Sequence, residues 1–311
     1  MEKWLSVIVL LVMACSPDSN YQTVDFSKTV AVEQSPTAPS HTEPLKVAVA
    51  AMISPKETFV YYQELIRYFS KKVGVEIQLI QRKTYGEINK LFAKGQLDLA
   101  FICSGPYVSG KETYAFRALA TPIIRGKPYY HSYLIVHRDA PYRHLEDLRN
   151  QVFAFTDPES NTGALVPTFW LFQIGEMPKT FFKEIVYTYS HDNSILAVAR
   201  KLVEGAAVDG HKWDYYEKQN SAYTAQTRVI KKSNPFGSPP LVASLFLPDG
   251  LFEKLSRVVL SMHDDPDGRR ILDKLMIDRF SPTQEEWYEP VRQMYLKIRQ
   301  GEGIHAQTRK P

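Results

Sequence analysis

Short apolar runs alternate with amphipathic stretches along most of this chain. Leu45-Lys46-Val47-Ala48-Val49-Ala50 is almost continuously apolar, as a buried strand requires, and Tyr61 to Lys72 then sets Leu65, Ile66 and Phe69 on one helical face before Gly74. Val75-Glu76-Ile77-Gln78-Leu79-Ile80 reads as a second strand. A helix follows from around Tyr85 to Ala93 with Ile88, Leu91 and Phe92 inward, and Gly95 closes it ahead of a third strand, Leu97-Asp98-Leu99-Ala100-Phe101-Ile102. The pattern then repeats. Tyr133-Leu134-Ile135-Val136 predicts a strand, Leu145-Glu146-Asp147-Leu148 a short helix, and Val152-Phe153-Ala154-Phe155 a strand. A helix from Ala164 to about Ile174 tolerates Pro167 because its first turn has no N–H partner to lose. Ile185-Val186-Tyr187 is another strand, Ser194 to Val203 a helix ended by Gly205, and Ala206-Ala207-Val208-Asp209 a strand with an acid at its end. Past about Arg228, Val242 to Leu247 is apolar and Phe252, Leu255, Val258 and Val259 mark a helix. Ser281-Pro282-Thr283-Gln284 reads as a capping box opening a last helix with Trp287, Val291, Met294 and Ile298 inward.

Strands that alternate with helices predict an α/β protein of mostly parallel sheets flanked by helices, with any ligand at the carboxyl ends of the strands. Roughly 260 ordered residues suit two lobes better than one core. The expected division is 45–135 with 228–300 as the first lobe and 136–227 as the second, leaving 301–311 as a disordered tail. Two crossings between lobes make a two-strand hinge and a clamshell.

The N-terminus adds a location. Met1-Glu2-Lys3 precedes an apolar run from Trp4 to Met13, and Val12-Met13-Ala14-Cys15 ends it with small residues before a cysteine. This is the pattern of a signal peptide closing on a lipobox, too short to span a bilayer, and it predicts lipidation of Cys15 and a membrane anchor outside the cytoplasm. Residues 16–44, rich in Ser, Thr and Pro, are expected to be a disordered tether. The net charge of +4 comes without a long basic run, which argues against nucleic-acid binding. Of the 2 cysteines, Cys103 is left alone once Cys15 is lipidated, so no internal disulfide is expected.

Chemistry concentrates in two strand-to-helix junctions. One loop is Cys103-Ser104-Gly105-Pro106, and the other is Asp157-Pro158-Glu159-Ser160-Asn161-Thr162-Gly163. In each, Gly and small hydroxyl residues stand where a helix should begin, so free backbone N–H groups and hydroxyls converge at the positive end of a helix dipole. Neither loop holds Lys or Arg. Neutral donors suit a small anion that must be held and then released.

The run Gly95-Gln96-Leu97-Asp98-Leu99-Ala100-Phe101, the segment from Phe155 through Ser160-Asn161-Thr162-Gly163-Ala164 to Leu165-Val166-Pro167, and Ser190-His191-Asp192 with Val208-Asp209 downstream together resemble the PhnD-like periplasmic binding proteins of phosphonate, phosphite and phosphate ABC importers. The resemblance runs from about Leu45 to Ile298. It implies a type II periplasmic-binding fold with no cofactor, a phosphorus oxyanion and an ABC permease as its partners, and a monomer. It also implies that Ser160, Asn161 and Thr162 hold the ligand oxygens from one lobe with His191 as a further donor, while Tyr85 and Tyr107 approach from the other, beside Ser104. Where the family usually has Ser-Thr-Ser-Gly-Tyr, this chain has Ser160-Asn161-Thr162-Gly163-Ala164, so an amide replaces a hydroxyl and a tyrosine is lost. Asp209 lies near where members that bind amino-bearing ligands place an acid.

Plainer roles remain open for each position. Ser104, Ser160 and Thr162 also fit helix caps, His191 a neighbour of an N-cap bonded to backbone, and Asp209 a cap on the turn before His211. Tyr85 and Tyr107 fit as packing residues, and Tyr129-Tyr130 reads as a half-buried pair. Three other functions stay in view: a sensor that presents the same bound form to a receptor kinase, an enzyme with Cys103 as nucleophile and His191 as base, and a ferric-ion binder using adjacent tyrosines.

Overall fold

The computed structural model describes residues 43–50, 55–111, 113–219 and 221–308. The expected lipidation site Cys15 and residues 16–42 of the expected tether lie outside the described residues. The strands are β1 Leu45–Val49, β2 Ile77–Ile80, β3 Leu99–Phe101, β4 Phe116–Ile123, β5 Tyr129–Tyr130, β6 Ser132–His137, β7 Val152–Phe155, β8 Glu184–Tyr187, β9 Gly205–Asp209, β10 Thr227–Lys232, β11 Phe236–Gly237, β12 Leu241–Ser244 and β13 Arg279–Ser281. The helices are α1 Pro55–Val73, α2 Tyr85–Ala93, α3 Ser104–Gly110, α4 Val166–Gln173, α5 Pro178–Phe181, α6 His191–Ala199, α7 Gly210–Gln219, α8 Ser221–Thr224, α9 Asp249–Leu260, α10 Pro266–Lys274 and α11 Glu289–Thr308.

Two sheets define two lobes. The first, in the order β13-β4-β12-β3-β1-β2, is parallel across β2-β1-β3 and antiparallel beyond. The second runs β10-β6-β9-β7-β8, parallel across β8-β7-β9. Each sheet is therefore mixed rather than mostly parallel. The strands that follow a crossing between lobes enter without a helical crossover, and only such a crossover enforces parallel pairing. Local signals place α1 and α2 where helices are expected, with α1 starting earlier, at Pro55. Leu65, Ile66, Phe69 and Val73 are buried along α1, which ends at Gly74 with φ near +71°. In α2, the Thr84 side chain accepts from the Glu87 N–H at 3.2 Å and the Glu87 carboxylate accepts from the Thr84 N–H at 2.9 Å, a closed capping box.

Between the lobes, β5 pairs antiparallel with β11, Tyr130 opposite Phe236. These are the two hinge strands. Because β6 begins the second sheet at Ser132 and β10 stays in it to Lys232, the expected boundaries at 135 and 228 cut through strands of the second lobe. An apolar run marks a strand but says nothing of which sheet it joins.

The C-terminus departs further from expectation. Ser281 pairs with Thr121 in β13 instead of capping a helix, and a 3-10 turn at Glu285–Tyr288 precedes α11. Sheet pairing outweighs a local capping signal there. Tyr288 is held on the first lobe, its hydroxyl donating to the Ser238 carbonyl at 2.8 Å and lying 2.9 Å from Thr121 Oγ1. Val291, Met294 and Ile298 instead join the core of Leu134, Phe153, Trp170 and Leu171 in the second lobe. The last helix thus makes a third crossing, and it continues to Thr308 through the segment expected to be a disordered tail.

Candidate functional site

Strand β7 delivers the second cradle. Ser160 takes an extended conformation, and its Oγ accepts the Gly163 N–H at 3.0 Å, capping a single π-turn at Asn161–Leu165 that runs straight into α4. Gly163 is required here, because a Cβ would fall 2.3 Å from Thr156 Oγ1. Ser160, Asn161 and Thr162 are fully buried. Two side-chain atoms of this loop, Asn161 Oδ1 and Thr162 Oγ1, find no hydrogen-bond partner among the described residues. Such atoms cost about 1 to 3 kcal/mol each unless something satisfies them, and native proteins keep few of them without a role.

The first cradle faces it directly. A Cβ on Gly105 would sit 2.5 Å from the Glu159 carbonyl and 3.0 Å from the Asn161 nitrogen, so the absence of a side chain lets the two loops touch across the lobes. Asn161 Nδ2 donates to Ser104 Oγ at 3.2 Å and to the Tyr130 hydroxyl at 3.1 Å, while Ser104 and Tyr130 share a short hydroxyl–hydroxyl bond. Ser104 from the first lobe, Asn161 from the second and Tyr130 from the hinge form one buried network. Tyr130 was missed by the sequence reading, which took Tyr129-Tyr130 for a half-buried pair; its only signal was a position next to a lobe crossing.

Tyr85, the first residue of α2, is buried, and its hydroxyl also lacks a partner among the described residues. Burial, reinforced by the nearby Cys103, raises its pKa well above the usual phenol range, so it remains a neutral O–H. Tyr107 is placed elsewhere. Its hydroxyl donates to Glu285 Oε1 at 2.5 Å and its ring packs on Tyr288 at 4.5 Å, away from the network, because α3 turns it toward the first-lobe core.

His191 opens α6 beneath the cradle. Its Nδ1 accepts the Asp209 backbone N–H at 3.1 Å and lies 3.1 Å from Thr156 Oγ1, which leaves the proton of the neutral ring on Nε2. Burial pushes its pKa down to about 4 despite the opposing pull of Asp209. At neutral pH it is an uncharged donor. Asp209 Oδ1 accepts the N–H groups of His211 at 2.8 Å and Lys212 at 3.3 Å, so the acid caps α7.

Cys103 is buried between the loops, with the Asn161 N–H 3.4 Å from its sulfur and the Tyr130 hydroxyl 3.8 Å away. Burial raises its pKa, and the contacts of His191 are with Asp209 and Thr156 rather than with the thiol. A protonated thiol without a base is poor equipment for a nucleophile.

A buried set of neutral O–H and N–H groups, gathered from two lobes and their hinge with no cation among them, is suited to grip a small oxyanion. Residues 47–288 match the family model for the phosphonate periplasmic substrate-binding proteins of ABC transporters. This chain belongs to that family. Family membership places it among periplasmic substrate-binding proteins. The phosphonates-binding periplasmic protein of Escherichia coli strain K12 is 23% identical over 286 residues, covering 88% of this chain and 84% of the relative. Among solved structures, a binding protein component of an ABC phosphonate transporter from Pseudomonas aeruginosa superposes with a TM-score of 0.77 at 23% identity, covering 81% of this chain and 86% of its own. PhnD1 of Prochlorococcus marinus, solved with methylphosphonate, superposes with a TM-score of 0.74 at 21% identity over 82% of this chain and 98% of its own. The two-lobed type II architecture is thus shared with proteins of this family.

Proposed function

We propose that this phosphonate-family protein captures a phosphorus oxyanion, whether a phosphonate, phosphite or phosphate, in the cleft between its lobes and presents it to an ABC permease. Ser160, Asn161, Thr162 and His191 contribute from the second lobe, Tyr85 and Ser104 from the first, and Tyr130 from the hinge. The observation that carries this reading is the set of buried side-chain atoms without protein partners, Tyr85 OH, Thr162 Oγ1 and Asn161 Oδ1, around one interlobe network. A tetrahedral anion accepts from the two hydroxyls, and a protonated oxygen of the same anion donates to the amide oxygen. All of these groups are neutral, so the ligand's charge is stabilised by dipoles and hydrogen bonds and is released without breaking an ion pair. The ligand named for the Prochlorococcus marinus relative, methylphosphonate, is of this class.

Cys15 serves as the lipid anchor in this reading and the residues after it as a tether, so the protein works as a monomer at a membrane surface next to its permease. Calorimetry of the full chain with methylphosphonate, phosphite, phosphate and sulfate tests the reading. Saturable binding of at least one phosphorus anion, with sulfate much weaker, is the expected result. Sulfate binding as well as every phosphorus anion, or no binding at all, overturns it.

A further inference from the structure

Next to the oxyanion network lies a cavity of about 70 Å³, lined from both lobes. Tyr62, Phe101 and Ile277 give it an apolar wall, while Asp209, His211 and Lys212 enter from the start of α7 and Ser238 from the segment after β11. Two contacts join it to the cradle. The Asp209 backbone N–H is held by His191, and the His211 ring stacks on Tyr130 at 6.1 Å, the same tyrosine that binds Asn161.

The polar groups of this cavity form a specific set. His211 is neutral, its pKa lowered to about 4 by burial and by the nearby Lys212, and one ring N–H donates to the Tyr129 backbone. Its Nε2 has no partner among the described residues, so a bare lone pair remains there. Ser238 Oγ is likewise unpartnered. Lys212 enters none of the ion pairs among the described residues. Burial opposes its charge, but Tyr62, Asp209, Tyr215 and Asp192 outweigh that and keep it an ammonium. The wall therefore offers acceptors at Asp209 and His211, a cation at Lys212 and apolar surface between them.

This bears on the organic part of the ligand and rests on the phosphonate reading above. We propose that the cavity receives the ligand's organic arm and that Lys212 selects an arm ending in a carboxylate beside an amino group, which makes the preferred solute a phosphono amino acid. The amino group faces Asp209 and His211 Nε2; the carboxylate pairs with Lys212. A bare ammonium arm sets a second cation beside Lys212 and offers it no carboxylate, and a methyl arm leaves the His211 lone pair and the Lys212 ammonium without a ligand partner, each at a cost.

Calorimetry with the full chain decides the matter, using phosphonoalanine, aminoethylphosphonate, phosphonopropionate and methylphosphonate. Phosphonoalanine is expected to bind wild type about tenfold or more tightly than aminoethylphosphonate, the order expected for a hydrogen bond to a charged group. In Lys212→Met, that advantage is expected to vanish. Equal affinities of wild type for phosphonoalanine and aminoethylphosphonate overturn the inference while leaving the phosphonate reading in place, and this comparison needs no variant to fold. An advantage that persists in Lys212→Met removes Lys212 from the site. If none of the four ligands binds, the phosphonate reading falls and this inference falls with it.

Discussion

The Tyr85 backbone N–H, at the start of α2 in the first lobe, donates to Asp157 Oδ2 of the second lobe at 3.1 Å. One turn further along the helix, Asn89 Nδ2 donates to Glu159 Oε2 at 2.5 Å. Both acceptors lie in the loop that carries Ser160, Asn161 and Thr162. The cradle loop thus doubles as a latch on the opposite lobe, and any parting of the lobes has to break both bonds.

Weakening the latch should favour the open form before any ligand is added. Asp157→Ala removes the first bond, together with the Glu159 N–H bond to Asp157 Oδ1 inside the loop, and Asn89→Ala removes the second alone. Each is expected to shift the balance between closed and open forms by roughly 1.5 to 3 kcal/mol, the range for hydrogen bonds to a carboxylate. Small-angle scattering of the ligand-free protein should show a larger radius of gyration for both variants, reversed by saturating ligand. Asn89 lies outside the cradle loop, so an unchanged radius in Asn89→Ala would show that the contact does not govern closure.

Ser160 and Thr162 should behave differently although they stand two residues apart. Ser160 Oγ is already engaged as a cap on Gly163, whereas Thr162 Oγ1 has no protein partner among the described residues. Ser160→Ala is expected to lower unfolding free energy by about 1 kcal/mol and to weaken ligand binding. Thr162→Ala should leave ligand-free stability nearly intact while costing roughly 1.5 to 3 kcal/mol of affinity. Calorimetry paired with urea denaturation separates the two effects.

Gly105 is where the loops of the two lobes meet. The two nearest atoms that an added methyl group meets are main-chain atoms of Glu159 and Asn161, which no rotamer change can move aside. Gly105→Ala should therefore hold the lobes apart, with weakened binding and an expanded scattering profile even at high ligand. Unfolding should stay cooperative, because neither lobe's core is touched. Wild-type affinity in this variant would show that the loops have slack.

Acidification should destabilise the fold through its buried histidines. His191 and His211 are both held down to about 4, while an unfolded imidazole titrates near 6.5. Between those values the unfolded chain binds more protons than the native one, so stability is full above about 6.5 and is lost as pH falls toward 4. Each shift corresponds to on the order of 3 kcal/mol. Asp157 and Glu159 work in the other direction, since burial raises both pKa values, so their protonation favours the folded state as pH falls. Urea midpoints measured at several pH values should decline between pH 6.5 and 4. The decline should be shallower in His191→Asn.

The sequence announced the parts of the fold that local chemistry controls. Strands β1, β7 and β9 match the apolar runs, and helix α2 the spacing of Ile88, Leu91 and Phe92, nearly residue for residue. The crossings were less legible, since β5 and β11 are two residues long and carry no periodicity. Helix α6 begins at His191, three residues before the expected Ser194, because Ser190 caps it by accepting the Asn193 N–H. Within the candidate site, the loop from Ser160 to Thr162 stood out by composition, and His191 only through the family resemblance. Tyr107 and Tyr130 exchanged places because both are tyrosines beside a strand end, and only the path of the chain decides which hydroxyl turns inward. Lys212 gave no signal, as a lone lysine early in a helix usually faces solvent.

Each lobe is completed by residues from the last quarter of the chain. Strand β12 sits inside the first sheet between β4 and β3, β13 forms its edge, and α11 covers the core of the second. A polypeptide emerging N-terminus first therefore has no finished core to fold onto until its end is synthesised. For a protein that must leave the cytoplasm, that delay is useful: the nascent chain stays loose enough to thread a translocation pore, and long-range pairings close both lobes together on the far side.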